Sequence, residues 1–350
     1  MAGSNGERVE QLSSKAKRVV SGMRPTGRLH LGHLRGALGN WIRLQDEAEC
    51  FFFVADWHAL TTGYEDTSGI VPSTHDMLLD WLAAGLDGDK AVLFQQSAVK
   101  EHAELHLLLS MIVPTPWLLR NPTIKEQARE LGLIAADDDE AMTQINYGLL
   151  GYPILQSADV LVYRAHQVPV GVDQVPHLEL TREVARRFNR FYGEVFPEPA
   201  ALLTESPKIP GTDGRKMSKS YNNAVFLSDS ASEVDAKLSR MMTDPRRVRR
   251  TDPGDPNDCP AFNLHRIYCT QEEIEYVSNG CRTAGIGCLE CKKVMIKHVN
   301  EELDPIRSRR AALAKQSDHV AAILGSGNSR ARAEAEKTMH EVRTAMRIGS

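Results

Sequence analysis

The sequence predicts an α/β protein: a doubly wound parallel sheet completed by a C-terminal helical domain. Three observations carry this. Over roughly the first 200 residues, short apolar segments alternate with single helical stretches, a pattern that demands crossover connections and parallel strands. One of those segments, CFFFVA at Cys50 to Ala55, is apolar throughout, as a strand covered on both faces must be. Beyond about Leu227 the strand signal ends and only helical stretches remain, divided by Pro and Gly.

Taken in order, residues 1–17 are polar, contain Glu7 and Glu10, and lack the apolar core of a secretion signal, so they read as a flexible extension. Arg18 to Ser21 is the first strand, Gly22 to Gly27 a Gly/Pro-rich loop, and a helix is expected from about Gly32 to Ala48. Cys50 to Ala55 is the second strand. Ser73 can cap a helix that Gly85 ends, and Ala91 to Gln95 is the third strand. From Glu101 to Val162 the pattern is helical, broken at Pro114, Pro116 and Pro122. Val168 to Gly171 is a further strand and Val175 to Asn189 a further helix. Residues 18–225 thus form a Rossmann-like nucleotide-binding domain, with ligands expected at the carboxyl ends of the strands. Residues 226–350 form the helical domain, with a long charged helix from about Lys292 to Leu324 and last helices that can pack back on the catalytic domain.

A chain with 42% hydrophobic and 25% charged residues is neither disordered nor fibrous, and its apolar runs are too short to span a bilayer. A net charge of −4 excludes a uniformly basic nucleic-acid binder but permits local patches. Arg240, Arg246, Arg247, Arg249 and Arg250, and separately Arg307, Arg309 and Arg310, are candidates for phosphate contact. Six cysteines without a secretion signal point to the reducing cytoplasm.

Two loops carry chemistry. His30-Leu31-Gly32-His33 lies between the first strand and the first helix, where helix N–H groups and imidazole donors can meet phosphate and a glycine lets a nucleotide approach the backbone. Pro210 to Ser220 is Gly-rich and holds Lys216 and Lys219 three residues apart, so both ammonium groups can converge on a triphosphate from a loop that opens and closes. Alone, each would pass for a capped turn or a solvated basic turn. Their joint occurrence, about 180 residues apart, changes the balance.

The pair His30-Leu31-Gly32-His33 and Lys216-Met217-Ser218-Lys219-Ser220 resembles the HIGH and KMSKS signatures of class I aminoacyl-tRNA synthetases. Val168 to Gln174 followed by His177 to Glu183, Ser157 to Tyr163, and Thr251 to Pro256 are similar to the bacterial tryptophanyl branch. The resemblance implies a tryptophan–tRNA ligase, which makes tryptophanyl-adenylate and pyrophosphate from ATP and then esterifies its tRNA. It implies that Lys216, Lys219, His30 and His33 are catalytic. It also implies that Met23, Arg24, Thr26, Gly32, Gly171, Asp173, Met217 and Ser218 join them around ATP, which arrives with Mg²⁺. Tyr152, Gln156, Asp159, Asp173 and Gln174 would surround tryptophan, Asp159 accepting from the indole N–H. Indole is only a donor, so a buried acceptor discriminates against phenylalanine. A homodimer, an anticodon-binding role for the helical domain, and no membrane association are further implications. The tyrosyl counterpart shares the fold but fits Gly171-Val172-Asp173-Gln174 less well. A non-catalytic paralogue would not need intact lysines and histidines.

Cys288 and Cys291 form a C-x₂-C pair, with Cys281 six intervening residues before and Cys259 a further 21 intervening residues before that. Four thiolates so spaced can hold Zn²⁺ or a [4Fe–4S] cluster. Resemblance to the four-cysteine subset of bacterial tryptophanyl-tRNA synthetases favours the iron–sulfur cluster, with zinc the alternative. Cys50 and Cys269 read as buried structural thiols.

Overall fold

The computed structural model describes residues 17–134, 142, 145–171, 175–203 and 208–349. Five strands, β1 (Arg18–Met23), β2 (Glu49–Val54), β3 (Val92–Gln95), β4 (Gln167–Val170) and β5 (Ala200–Leu203), form one parallel sheet in the order β3-β2-β1-β4-β5. The chain winds outward from β1 to one side and then restarts beside it at β4. The crevice at the carboxyl ends of β1 and β4 is therefore the switch point where such sheets bind ligands.

Alternation along β2 explains its continuous apolar run. Phe51 and Phe53 enter one core layer, with the Glu101–Ser110, Tyr147–Leu161 and Val175–Tyr192 helices. Cys50, Phe52 and Val54 enter the other, which continues through Val225, Leu227, Leu264, Met295 and Val299. The C-terminal helices thus share both cores: the Cys288–Leu313 helix joins the Phe52 layer, while Ala331, Ala335, Met339 and Val342 of the last helix join the Phe51 layer.

Three expectations need correction. β5 was not foreseen: its Ala200–Leu203 segment is mostly exposed at the sheet's edge and carries neither alternation nor a β-branched residue. The first helix is not continuous. A short Leu31–His33 turn passes through a wide Leu34–Leu38 turn into the Gly39–Leu44 helix, because Gly36 leaves helical geometry at φ −101°, ψ −117°. The long charged helix is two, Cys288–Leu313 and Ser317–Met346, parted at Gln316, whose φ −123° and ψ 51° are non-helical. The reversal lays the second helix along the outer strand β3. There Asn328 Oδ1 accepts from the Gln95 N–H at 2.9 Å, and Gly327 packs so tightly that a Cβ on it would fall 1.8 Å from the Leu93 carbonyl oxygen.

Candidate active site

A cavity of about 390 Å³ opens at the switch point, lined by Gly22 and Arg24 after β1, by Val170 and Gly171 after β4, and by His58, Tyr152, Gln156 and Asp159. Gly22 is required there, since a Cβ would strike the Phe53 ring at 2.4 Å. Asp159, 1% exposed, projects into the cavity from the Tyr147–Leu161 helix.

Three residues outside the sequence reading converge on that carboxylate. His102 Nδ1 and Gln96 Nε2 meet Oδ1 at 2.6 and 2.8 Å, and His58 Nε2 meets Oδ2 at 2.8 Å. Two of them are themselves held. His102 Nε2 lies 2.7 Å from the Tyr163 hydroxyl, and Gln96 Oε1 accepts from the Trp57 N–H at 3.1 Å. Burial opposes ionisation of Asp159, but hydrogen bonds from His102 and His58, reinforced by their charge, outweigh it and hold the carboxyl well below its usual range. The result is a fixed anionic acceptor at the end of an apolar slot.

Tyr152 closes one side, its hydroxyl 3.1 Å from His177 Nε2, and Gln156 lines the wall. Asp173 and Gln174 lie outside the described residues.

The two motif loops meet each other, Lys219 of the second reaching Thr26 and Gly27 of the first. His30 Nδ1 accepts from the Gly32 N–H at 3.1 Å and His33 Nδ1 accepts from the His30 N–H at 3.2 Å. Both ring nitrogens being acceptors, each neutral imidazole carries its proton on Nε2. Burial, then Lys219 and Lys216, lowers His30 to about 4. Burial, then His30 and Lys219, lowers His33 to about 3. Both are therefore neutral donors at physiological pH. Gly32 is required because a Cβ would fall 2.9 Å from the His30 ring.

The expected free helix N-terminus is not there. The Leu31 N–H donates to Val225 O at 3.0 Å, Gly32 to the His30 ring, and His33 to His30 O at 2.8 Å. A helix of three residues that must turn at Gly36 spends its amides internally, leaving phosphate contact at this turn to the side chains.

Lys219 reaches across from the second loop. Its Nζ donates to Gly27 O at 3.0 Å and to Thr26 Oγ1 at 3.2 Å, and burial lowers it to about 8, against the pull of Asp80. Lys216 is exposed, and Met217 is buried under the loop, its N–H donating to Ile209 O at 3.0 Å. The loop is splinted by Asn223, a buried residue the sequence reading passed over. Asn223 Oδ1 accepts from the Ser218 N–H at 2.8 Å, and its Nδ2 donates to Asp213 Oδ1 at 2.7 Å and Lys216 O at 3.2 Å. Its close approach is why residue 211 is glycine: a Cβ there would lie 2.2 Å from the Asn223 amide. Met23 O accepts from the Ala55 N–H at 2.9 Å, which fixes where β1 turns into the first loop.

With the two motif loops in contact and Asp159 fixed at the switch point, the comparison with known proteins is direct. The family model for class I tRNA synthetases (W and Y) matches residues 13–304. The chain belongs to this family. A Thermotoga maritima relative named tryptophan–tRNA ligase is 52% identical over 333 residues, covering 95% of this chain and 99% of that one. An Aquifex aeolicus relative of the same name is 46% identical over 393 residues, covering 95% and 100%. The structure of Campylobacter jejuni tryptophanyl-tRNA synthetase complexed with ADP and tryptophan superposes with a TM-score of 0.82 at 30% identity, covering 95% of this chain and 100% of that one.

In this class I synthetase the second arginine group does not present a basic face. Arg310 pairs with Asp80 and Asp76, each at 2.7 Å. Asp80 in turn accepts from the Leu29 N–H at 3.1 Å, so this pair props the loop leading to His30. Arg309 donates to Ala83 O at 2.6 Å, and Arg307 to Asp229 O at 3.1 Å and to Asp304. Arg309 and Arg310 join the Cys288–Leu313 helix to the catalytic layer; their partners, over 200 residues away, hid that role. In the first group Arg247 is buried and donates to Ile286 O. Arg240, Arg246, Arg249 and Arg250 are exposed, beside Val248 at 84% exposure.

The four motif cysteines come together beneath that loop. Burial, then the facing Cys259, Cys281 and Cys288, pushes the Cys291 thiol up to about 12, and Arg247 and Lys292 stand close enough to act on the group. Cys281 also backs onto Gly254, whose N–H donates to Cys281 O at 3.0 Å.

Proposed function

We infer that this chain is a tryptophan–tRNA ligase. The observation that carries it is the acceptor Asp159, held ionised by His102, His58 and Gln96 in a cavity at the switch point that Gly22 and Arg24 of the first loop also line. An indole N–H donates to it, whereas a phenylalanine ring brings no donor to replace the His58 contact that it would crowd.

The catalytic work is positioning and charge stabilisation. The amino-acid carboxylate attacks the α-phosphate of ATP, the carboxylate–phosphate bond forms as the α–β bridge breaks, and pyrophosphate leaves with Mg²⁺. Arg24 and Gly171, at the strand ends, flank the nucleotide, with Met23 and Thr26 at the first loop and Asp173 beyond the described residues. His30 and His33 offer Nε2–H donors to phosphate oxygens and Gly32 lets the nucleotide close on the turn. Lys219, with Lys216, Met217 and Ser218, brings positive charge to the leaving pyrophosphate. Tyr152, Gln156 and Gln174 enclose the amino acid. The tRNA 3′ ribose then attacks the acyl carbon and AMP leaves.

The exposed Arg246, Arg249 and Arg250 suit tRNA phosphates near the anticodon. The four thiols fit a metal group, being sulfur donors from three elements with cations at hand. Among the described residues, the group of potential ligands drawn within 4.8 Å is a different one, Cys269, Glu273 and His298. The resemblance to the four-cysteine subset favours a [4Fe–4S] cluster held by Cys259, Cys281, Cys288 and Cys291, with zinc the alternative. Bound there, it would brace the loop bearing the arginines. Exposed Leu107 and Met111, four residues apart, suit burial in a homodimer. No helix among the described residues is long and apolar enough to cross a membrane, in keeping with work in the cytoplasm.

The test is ATP–pyrophosphate exchange with each amino acid. Tryptophan-dependent exchange that Asp159→Ala abolishes is expected; tyrosine-dependent exchange would overturn the reading. Anaerobic protein should show broad thiolate-to-iron absorption, and colourless protein with stoichiometric zinc would refute the cluster.

A further inference from the structure

A second group of metal-type ligands lies apart from the active site. Cys269 ends the Pro260–Tyr268 helix, Glu273 sits in the first turn of the Gln271–Arg282 helix, and His298 lies on the Cys288–Leu313 helix. Their donor atoms all lie within 4.8 Å of one another. Neither the family reaction nor the four motif cysteines uses them.

The geometry around His298 goes beyond an ion pair. Its Nε2 faces both Glu273 oxygens, at 2.9 and 2.8 Å. Its other nitrogen, Nδ1, lies 3.0 Å from Glu301 Oε2. A metal-ligating histidine needs a proton on the ring nitrogen away from the metal and a carboxylate to receive it. Glu301 supplies that carboxylate, leaving the Nε2 lone pair directed at the gap shared by Glu273 and Cys269. His265, fully buried, places Nδ1 3.3 Å from Cys269 Sγ and Nε2 3.3 Å from Cys291 Sγ. An imidazole thus divides this group from the four-cysteine group, making two sites rather than one.

We propose that Cys269, Glu273 and His298, buttressed by Glu301, form a second divalent-metal site, suited by its mixed sulfur, oxygen and nitrogen donors to zinc, which ties three helices of the C-terminal region together. All three protein ligands are partly exposed, so water can complete a tetrahedral shell. The simpler reading is a surface ion pair beside a thiol packed among apolar neighbours, and the experiment separates the two.

Full-length protein, purified anaerobically with its four-cysteine site left as isolated, is titrated with Zn²⁺ against a chromophoric chelator and with Co²⁺ by visible absorption. The wild type and the variants His298→Gln, Cys269→Ala and Glu301→Gln are compared. Wild type should bind one equivalent more than His298→Gln and Cys269→Ala. Its Co²⁺ form should show a thiolate-to-cobalt band that Cys269→Ala lacks. Glu301→Gln should retain the site with affinity lowered about 10- to 100-fold. His298 touches none of the four motif cysteines, so His298→Gln reports on this site even if Cys269→Ala disturbs its neighbour. Equal stoichiometry in wild type and His298→Gln, whatever metal the four cysteines hold, would overturn the proposal.

Discussion

His102 Nδ1 stands 2.6 Å from Asp159 Oδ1 while the opposite edge of the same imidazole meets the Tyr163 hydroxyl at 2.7 Å. Tyr163 lies one turn beyond Asp159 in sequence, so the histidine spans two positions of one chain segment and fixes the carboxylate's rotation. His58 holds the other oxygen from the cavity side, which makes it the partner an incoming indole N–H must share or displace.

From this, Asp159→Asn should lower kcat/KM for tryptophan by about 10- to 150-fold, the equivalent of a lost charged hydrogen bond worth roughly 1.5–3 kcal/mol. Steady-state exchange kinetics measure it. His102→Ala, which strips a fully buried carboxylate of a partner, should also cost about 1–3 kcal/mol of stability in denaturant unfolding.

Asn223→Ala should separate loop order from substrate recognition. It removes the acceptor for the Ser218 N–H and the donor to Asp213, but touches no residue of the slot. Exchange should slow by about 5- to 150-fold, corresponding to roughly 1–3 kcal/mol for unmet loop groups, while tryptophan affinity measured by calorimetry stays unchanged.

Two pH effects follow from the motif loops. His30 and His33 are lowered from 6.5 to about 4 and about 3. As pH falls below 6.5 the unfolded chain takes up protons the folded one refuses, so stability drops until the folded pKa is reached. Thermal unfolding between pH 7 and 4 should show this loss, flattened in a His30→Asn, His33→Asn variant. Lys219, lowered to about 8, should make kcat/KM for ATP decline above that pH, a decline absent in Lys219→Arg.

Gly327→Ala carries an inverted sign. In an exposed helix interior this change stabilises by about 1 kcal/mol, but here the added methyl meets the Leu93 backbone. Destabilisation of about 1–3 kcal/mol by overpacking is expected, read by denaturant unfolding.

The legible parts of this molecule were those written in neighbouring residues. CFFFVA declares a buried strand, and each motif loop declares itself in a few positions. His58, Gln96 and His102 were not legible because they come from separate elements and acquire meaning only when the sheet brings them to Asp159. Asn223 is hidden likewise among ordinary loop residues. Arg310 misleads for the same reason: its partners Asp76 and Asp80 lie far back along the chain, so a half-buried brace looks like a basic patch.

The cover over β3 has a consequence for solubility. An outer strand with unmet amides is a template for another chain, and this one is shielded by the 30 residues from Ser317 to Met346. A chain cut before Ser317 presents a bare, adhesive border, so such a truncation should yield insoluble protein rather than a slightly shortened enzyme.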